Sequence, residues 1–444
     1  MLGNRTSRAA LSTACAVLLL ATSACGSDEP KDAGTTQVRL YGTDGNMQNS
    51  FAAELKDRAS LINGMKGTTP LTPLPESFKE RLRTVDPKLN DFLYAAESYD
   101  AVVISALATQ LAGTTAPREI AQQIVGVTAG GQRCDEVTAC LQLARAGQDL
   151  EYRGVSLTRA GFTDTGEPAT ASYGTLHFDN QQLDDGKTEF VGAGEEAGAS
   201  SKAPPRGRKT RGKAKDAPLV MGGLLPKTGD LALAYPPMAA AVRLALNEIN
   251  AAGGVLGEPV KFIEGDDGTN PAVAKATVAG HVAQGVSIII GAGASGISRA
   301  VLPDVVAAGR ILFSPSNTDA GLSAVDDKGL YFRTAPPDSL QGRALADVML
   351  RDGPRKIVIL ARKDSYGEGL QENVRAELEK AGVGADRLKL LTYAPPEDPK
   401  TPVDFGGIAQ EIKSFGPEAV LVIGFGESAG AITALADAGV RIRG

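Results

Sequence analysis

The sequence predicts an α/β fold of parallel sheets flanked by helices, on three observations. From residue 218 to the end, short apolar runs alternate with segments of helical period. Small polar loops (GAGASGIS at 291–298, SPSNT at 314–318) follow two of those runs. The 444 residues suffice for two or three folding units, at roughly 100–200 residues per domain. Such alternation builds βαβ units, in which ligands sit at the carboxyl ends of the strands.

The elements follow in order. Leu219–Leu225 reads as a strand. Pro237–Ala251 reads as a helix with Ala239, Val242, Leu246 and Ile249 on one face and Gly253-Gly254 as its stop. Val260–Glu264 is a strand, and Asn270-Pro271 opens a helix running to Gln284. Ser287–Ile290 is a buried strand that leads through the glycine-rich loop into another helix. Ile311–Phe313 ends in SPSNT, and further strands are expected at Lys356–Leu360, Leu388–Tyr393 and Val420–Ile423.

Composition narrows the function. A formal net charge of −6 offers no broad basic field to phosphates, so no nucleic-acid partner is expected. Two His and four Cys, without C-x-x-C or H-x-x-x-H spacing, give no metal centre, and no cofactor is expected.

Residues 1–25 read as a secretory signal: Arg5 and Arg8 are basic, and Leu11–Ala21 is apolar but shorter than the ~20 residues of a spanning helix. Thr22-Ser23-Ala24-Cys25 resembles the lipobox of bacterial lipoproteins, with Thr22 where Leu is commonest, so Cys25 is the expected lipidation site and 26–35 a tether. Export implies an oxidising compartment. Cys134 and Cys140, six apart, are expected to form a local disulfide, two buried free thiols being the alternative. Residues 191–217, rich in Gly, Ala, Ser, Pro, Lys and Arg and lacking apolar period, read as a flexible basic linker.

Several stretches resemble the type I periplasmic-binding-protein family, in its leucine/isoleucine/valine- and amide-binding branch. They are GLLPKTGDLA (223–232), AVRLALNEINAAGGVLGEPV (241–260), DDGTNPAVA (266–274), IIIGAGASGISRAVLP (288–303), SPSNTDAGLS (314–323), FRTAPPDSLQGRALA (332–346) and DSYGEGL (364–370). They stand in the family's own order. VRLYGTDGNMQ (38–48), ESYDAVVISALA (97–108) and TDTGEPATASYGTLHFD (163–179) resemble its C-terminal part, placed here before its N-terminal part. The resemblance therefore implies a circularly permuted chain of two Rossmann-like lobes. Residues 218–338 would form the N-lobe core and 339–444 the C-lobe core, with 36–190 contributing to both. A fusion of fragments from two receptors is the rival reading.

The resemblance also implies a site between the lobes. Ser295 matches a serine that binds the ligand carboxylate, at a helix start where unpaired N–H groups and the helix dipole favour an anion. Helix capping is its other reading. Thr318 matches a threonine on the ligand headgroup, and Ser316 a backbone-contact position. Tyr366 matches a tyrosine that covers the ligand on closure, and Asp44 the acidic partner of a ligand ammonium. Tyr235 is offset by one from the expected tyrosine. Gly424-Phe425-Gly426-Glu427 replaces an aromatic pair, so Glu427 is expected to favour a polar or cationic side chain.

The implied function is that of a monomeric, lipid-anchored binding protein outside the cell membrane. It would hand a small amino-acid-like ligand to an ABC transporter permease. A sensing receptor for a membrane partner and an amide receptor are the alternatives. An enzyme is not expected: there is no G-x-x-x-x-G-K-[ST] loop, and His177 and His281 have no triad context.

Overall fold

The computed structural model describes residues 37–207, 218–396 and 401–444. The expected signal, Cys25, the tether and residues 208–217 of the linker lie outside the described residues. Among those described, no helix is long and apolar enough to cross a membrane.

Two sheets define two lobes. In the first lobe five parallel strands lie in the order Tyr331–Arg333, Ile311–Ser314, Ile288–Gly291, Val220–Leu224, Lys261–Ile263. The two middle runs, Ile288–Gly291 and Ile311–Ser314, are buried throughout, as strands covered on both faces must be. Their helices start and stop where the sequence signals them. Asn270 caps helix Pro271–Ala283 by accepting from the N–H groups of Ala272 and Val273. Helix Tyr235–Ala251 buries Val242, Leu246 and Ile249, and ends where Gly253 and Gly254 turn to φ +96° and +69°.

In the second lobe the strand order is Leu388–Tyr393, Ile357–Arg362, Ala419–Ile423, Gln37–Gly42, Lys66–Pro70, all parallel. Thr170–Asp179 adds antiparallel to Lys66–Pro70. The register Arg39↔Ala419 and Tyr41↔Leu421 sets the front of the chain directly beside its end. Residues 76–162 instead pack on the first lobe. Helix Ala95–Ala112 is buried along its whole length against helix Tyr235–Ala251. Two of its polar groups are answered: Asp100 accepts from Tyr152, Val155 and Ser156, and Gln110 from the N–H of Leu256.

The geometry bears on two expectations. Cys134 and Cys140 are disulfide-bonded and tie strand Gln132–Cys134 to helix Val137–Arg145. The linker, in contrast, starts later than residue 191. Glu189–Gly194 is an edge strand paired antiparallel with Thr170–Asp179, because the backbone of that long strand offers a free row of hydrogen-bond partners there. Residues 200–207 also have partners: the Ser200 N–H donates to the Phe162 carbonyl, and Gln123 donates to the Pro205 carbonyl.

One ion pair holds the crossing between the lobes. Arg333 is fully buried and donates to Glu167 at 2.6 and 2.9 Å, to Ser323, and to the carbonyls of Asn317 and Asp319. Removing one partner of a buried pair strands the other charge, at a cost of about 3–5 kcal/mol. Glu167→Ala is therefore expected to lower thermal stability by several degrees, read by scanning calorimetry, and to loosen the 314–319 loop.

Candidate functional site

The first-lobe wall is built from two strand-end loops. Helix Ser295–Ala307 begins where strand Ile288–Gly291 ends, and Ala294, not Ser295, occupies its cap position. The Ser295 hydroxyl reaches the next loop and accepts from the N–H groups of Thr318 and Asp319, both at 3.2 Å. With its lone pairs so engaged, its proton is left to donate, at a helix N-terminus that favours an anion. Ser316 donates to the Gly293 carbonyl at 2.7 Å, so its side chain locks the two loops together, and its backbone N–H donates to the Ser314 hydroxyl at 3.2 Å. Asn317 reinforces the lock by donating to the carbonyls of Ala292 and Gly293.

The second-lobe wall centres on Asp44, in the turn after strand Gln37–Gly42. It is buried. Tyr94 donates to its Oδ2 at 2.8 Å, while Tyr366 and Gln341 donate to its Oδ1 at 2.9 and 3.2 Å. Tyr366 spends its proton on Asp44, so Thr43 must donate to the Tyr366 oxygen, 2.8 Å away. The Tyr366 ring stacks on Phe425 with centroids 5.2 Å apart. Burial pushes the Asp44 carboxyl above its ordinary range, and the three side-chain donors only partly oppose this.

Asp338 and Gln341, from the first turn of helix Asp338–Arg351, join the walls. Thr318 donates to Asp338 at 3.0 Å, and Gln341 donates to Asp44. Hydrogen bonds and one turn of this helix thus link Ser295, Thr318, Asp44 and Tyr366, while Ser316 holds the Gly293 carbonyl beside them. The lobes also touch: a Cβ at Gly296 would lie 3.8 Å from Asp364.

Two candidates lie elsewhere. Tyr235 lines a separate first-lobe groove of about 250 Å³ with Arg243, Asn247 and Glu264, because the helix it opens turns it toward strand Lys261–Ile263. Glu427 is buried but already engaged by Arg362 at 2.8 Å and Tyr393 at 2.6 Å. The same Arg362 binds Asp364 at 2.6 Å and Asp230, from the first lobe, at 2.7 Å. Glu427 therefore belongs to an interlobe ion cluster through its Oε1, while its buried Oε2 has no hydrogen-bond partner.

Two spacings suggestive of catalysis are used for packing. Gly291, Gly293 and Gly296 have the G-x-G-x-x-G spacing, but the Gly293 N–H is taken by the Asp267 carboxylate at 2.7 Å, where a pyrophosphate would have to bind. Gly426-Glu427-Ser428-Ala429-Gly430 has the G-x-S-x-G spacing. Ser428 is fully buried, in ordinary right-handed backbone, and donates to the Phe425 carbonyl. His281 binds the Gly223 carbonyl within the first lobe.

Sequence reading missed Tyr94, Asp338, Gln341, Arg362 and Asp230. Asp338 and Gln341 stand at i, i+3 in the FRTAPPDSLQGRALA stretch, which was a usable signal. Tyr94 has none, since it sits at φ 55° before its helix.

Comparison with known proteins gives the family. The family model described as periplasmic binding protein matches residues 218–443, about half of the chain. This chain belongs to the periplasmic binding protein family. Among its relatives, Leu/Ile/Val-binding protein homolog 3 of Brucella melitensis is 28% identical over 229 residues, 51% of this chain and 60% of that protein. An amino acid binding protein of Pseudomonas aeruginosa is 30% identical over 190 residues, 42% of this chain and 48% of its own length. The chain thus spans about half the length of these periplasmic binding proteins in a single aligned stretch. Among solved structures, the branched-chain amino acid transporter substrate binding protein LivJ of Streptococcus pneumoniae, in complex with isoleucine, is 26% identical. That match covers 51% of this chain and 63% of LivJ, with a TM-score of 0.42.

Proposed function

We propose that this protein is a lipid-anchored, extracytoplasmic binding protein that closes on a small amino-acid-like ligand and delivers it to an ABC transporter permease. It is not an enzyme in this reading and acts as a monomer. The observation that carries the reading is Asp44: a buried carboxylate held by Tyr94, Tyr366 and Gln341, none of them cationic, joined by the Asp338 turn to Thr318 and Ser295. A zwitterion answers both ends, with its ammonium on Asp44 and its carboxylate on Ser295 and the helix N-terminus.

The same reading takes the chain as one permuted receptor. Two observations support it. Gln37–Gly42 fills the gap between Ala419–Ile423 and Lys66–Pro70, and residues 76–162 cover the first lobe. Two unrelated fragments would not be expected to share one continuous parallel sheet.

The test is a thermal-shift screen of the protein without Cys25 against common amino acids, small amides and polyamines. A ligand at 100 times its Kd adds about 2.7 kcal/mol of stability, a readily measured shift. Stabilisation by one or a few amino acids is expected. A folded protein indifferent to the whole panel would overturn the assignment.

A further inference from the structure

Helix Asp338–Arg351 opens with an aspartate and a glutamine one turn apart, so the two side chains leave one face. Both residues are fully buried. The Asp338 N–H donates to the Thr318 carbonyl at 2.7 Å, and the Thr318 hydroxyl donates to Asp338 Oδ2 at 3.0 Å. A hydroxyl has one proton. That of Thr318 is committed, so toward a ligand Thr318 presents only lone pairs.

Gln341 is oriented just as firmly. Its Nε2 lies 3.2 Å from Asp44 Oδ1 and 3.1 Å from the Thr68 carbonyl, both acceptors, so the amide nitrogen must face them. Its Oε1 has no hydrogen-bond partner, and neither has Asp338 Oδ1. Asp44 accepts three side-chain bonds and one from its own backbone N–H, so an arriving donor must share or displace one of them. With both carboxyls ionised, every group of this buried corner that is left for a ligand is an acceptor; burial favours their neutral forms, and an arriving cation reverses that preference. Among the described residues no Lys, Arg or His donates to Asp44 or Asp338.

We propose that Asp338 and Gln341 are positioning residues that set ligand specificity: they fix Thr318 and Asp44 as acceptors, so that the site takes an alkylammonium group and discriminates against a hydroxyl in its place. This rests on the amino-acid reading above and deepens it. An ammonium brings three N–H donors and a positive charge. A hydroxyl brings one donor and lone pairs that would face other lone pairs. A site built to hydrogen-bond a substrate N–H rejects an analogue lacking it by factors of about 10⁴–10⁵.

The experiment is calorimetry with L-leucine and its 2-hydroxy acid, or with the tightest amino acid of the panel and its own 2-hydroxy acid, on the wild type, Asp338→Asn and Gln341→Met. The wild type is expected to prefer the amino acid by at least about 100-fold. Asp338→Asn adds N–H donors in the same volume and lets the Thr318 hydroxyl turn. The preference ratio is expected to fall at least about tenfold, mainly through weaker amino-acid binding. A purely structural role would weaken both ligands alike, and an unchanged ratio would overturn the proposal. If Asp338→Asn does not fold, Gln341→Met decides by the same ratio. A wild type that binds no amino acid would overturn the functional reading and this inference with it. A wild type that binds, with ratios untouched by both variants, would overturn the inference alone.

Discussion

Asp44→Asn is expected to weaken amino-acid binding at least about 100-fold while raising the melting temperature of the ligand-free protein at pH 7. The binding loss follows from removing the charge that faces the ammonium; truncating one partner of a buried charge pair costs about 2–5 kcal/mol. The stability gain has the opposite origin. Burial raises the Asp44 carboxyl above its ordinary value of 3.8, against the pull of Tyr94, Tyr366 and Gln341. A carboxyl raised on folding holds its proton more tightly in the folded state. Its contribution to stability is full below the unfolded value and is lost as pH rises through the folded value. Asparagine never ionises, so it avoids that loss, and Tyr94 can rotate its hydroxyl to accept from the new amide. The melting advantage should therefore grow from about pH 4 to pH 7, as measured by calorimetric scans in that range. A uniform drop in melting temperature would show instead that the three donors stabilise the ionised carboxylate outright.

Asp230→Ala is expected to weaken binding by about 10–100-fold through faster ligand release. Arg362 is the only cation in a buried cluster with Asp230, Asp364 and Glu427 among the described residues, and its guanidinium lies 4.6 Å from the Phe425 ring. Asp364 and Glu427 share the second lobe with Arg362; Asp230 comes from the loop after strand Val220–Leu224 in the first. The Gly426 N–H also donates to the Asp230 carbonyl at 3.0 Å. The pair thus forms only when the lobes meet, beside Phe425 and the Tyr366 ring stacked on it. Hinge closure of this kind gains from contacts absent in the open form. Arg362 keeps two partners in the variant, so folding should survive. Stopped-flow release rates and small-angle scattering, which should show a larger mean radius with ligand present, check the account. Unchanged release would mean that the cluster is structural only.

The first-lobe architecture was largely legible in the sequence. Apolar runs such as Ile288–Gly291 are covered on both faces, and Asn270 and Gly253-Gly254 mark helix ends by their own chemistry, so local sequence and tertiary environment agree. The edge strand Glu189–Gly194 was not legible. Phe190 and Val191 stay largely exposed, and what holds the segment is the free backbone of Thr170–Asp179, which no side-chain pattern announces. Of the proposed site, Ser295, Thr318, Asp44 and Tyr366 were named from the family resemblance; Ser295 and Tyr366 stand in the first turns of their helices, Thr318 and Asp44 in loops after strands. The engagement of Glu427 by Arg362 was not legible, since the two lie 65 residues apart in sequence. Tyr94 was missed because nothing in the sequence reveals a left-handed residue aiming a phenol at Asp44.

The central claim is that two segments of the chain, 37–194 and 218–444, build one ligand site. Calorimetry of the protein without Cys25 tests it most directly, with the best amino acid from the screen titrated into the wild type, Ser295→Ala and Asp44→Asn. The account predicts a single saturable site in the wild type, lost or weakened at least about 100-fold in each variant. Undiminished binding in folded Asp44→Asn would contradict it, placing the ligand on the 218–444 segment alone.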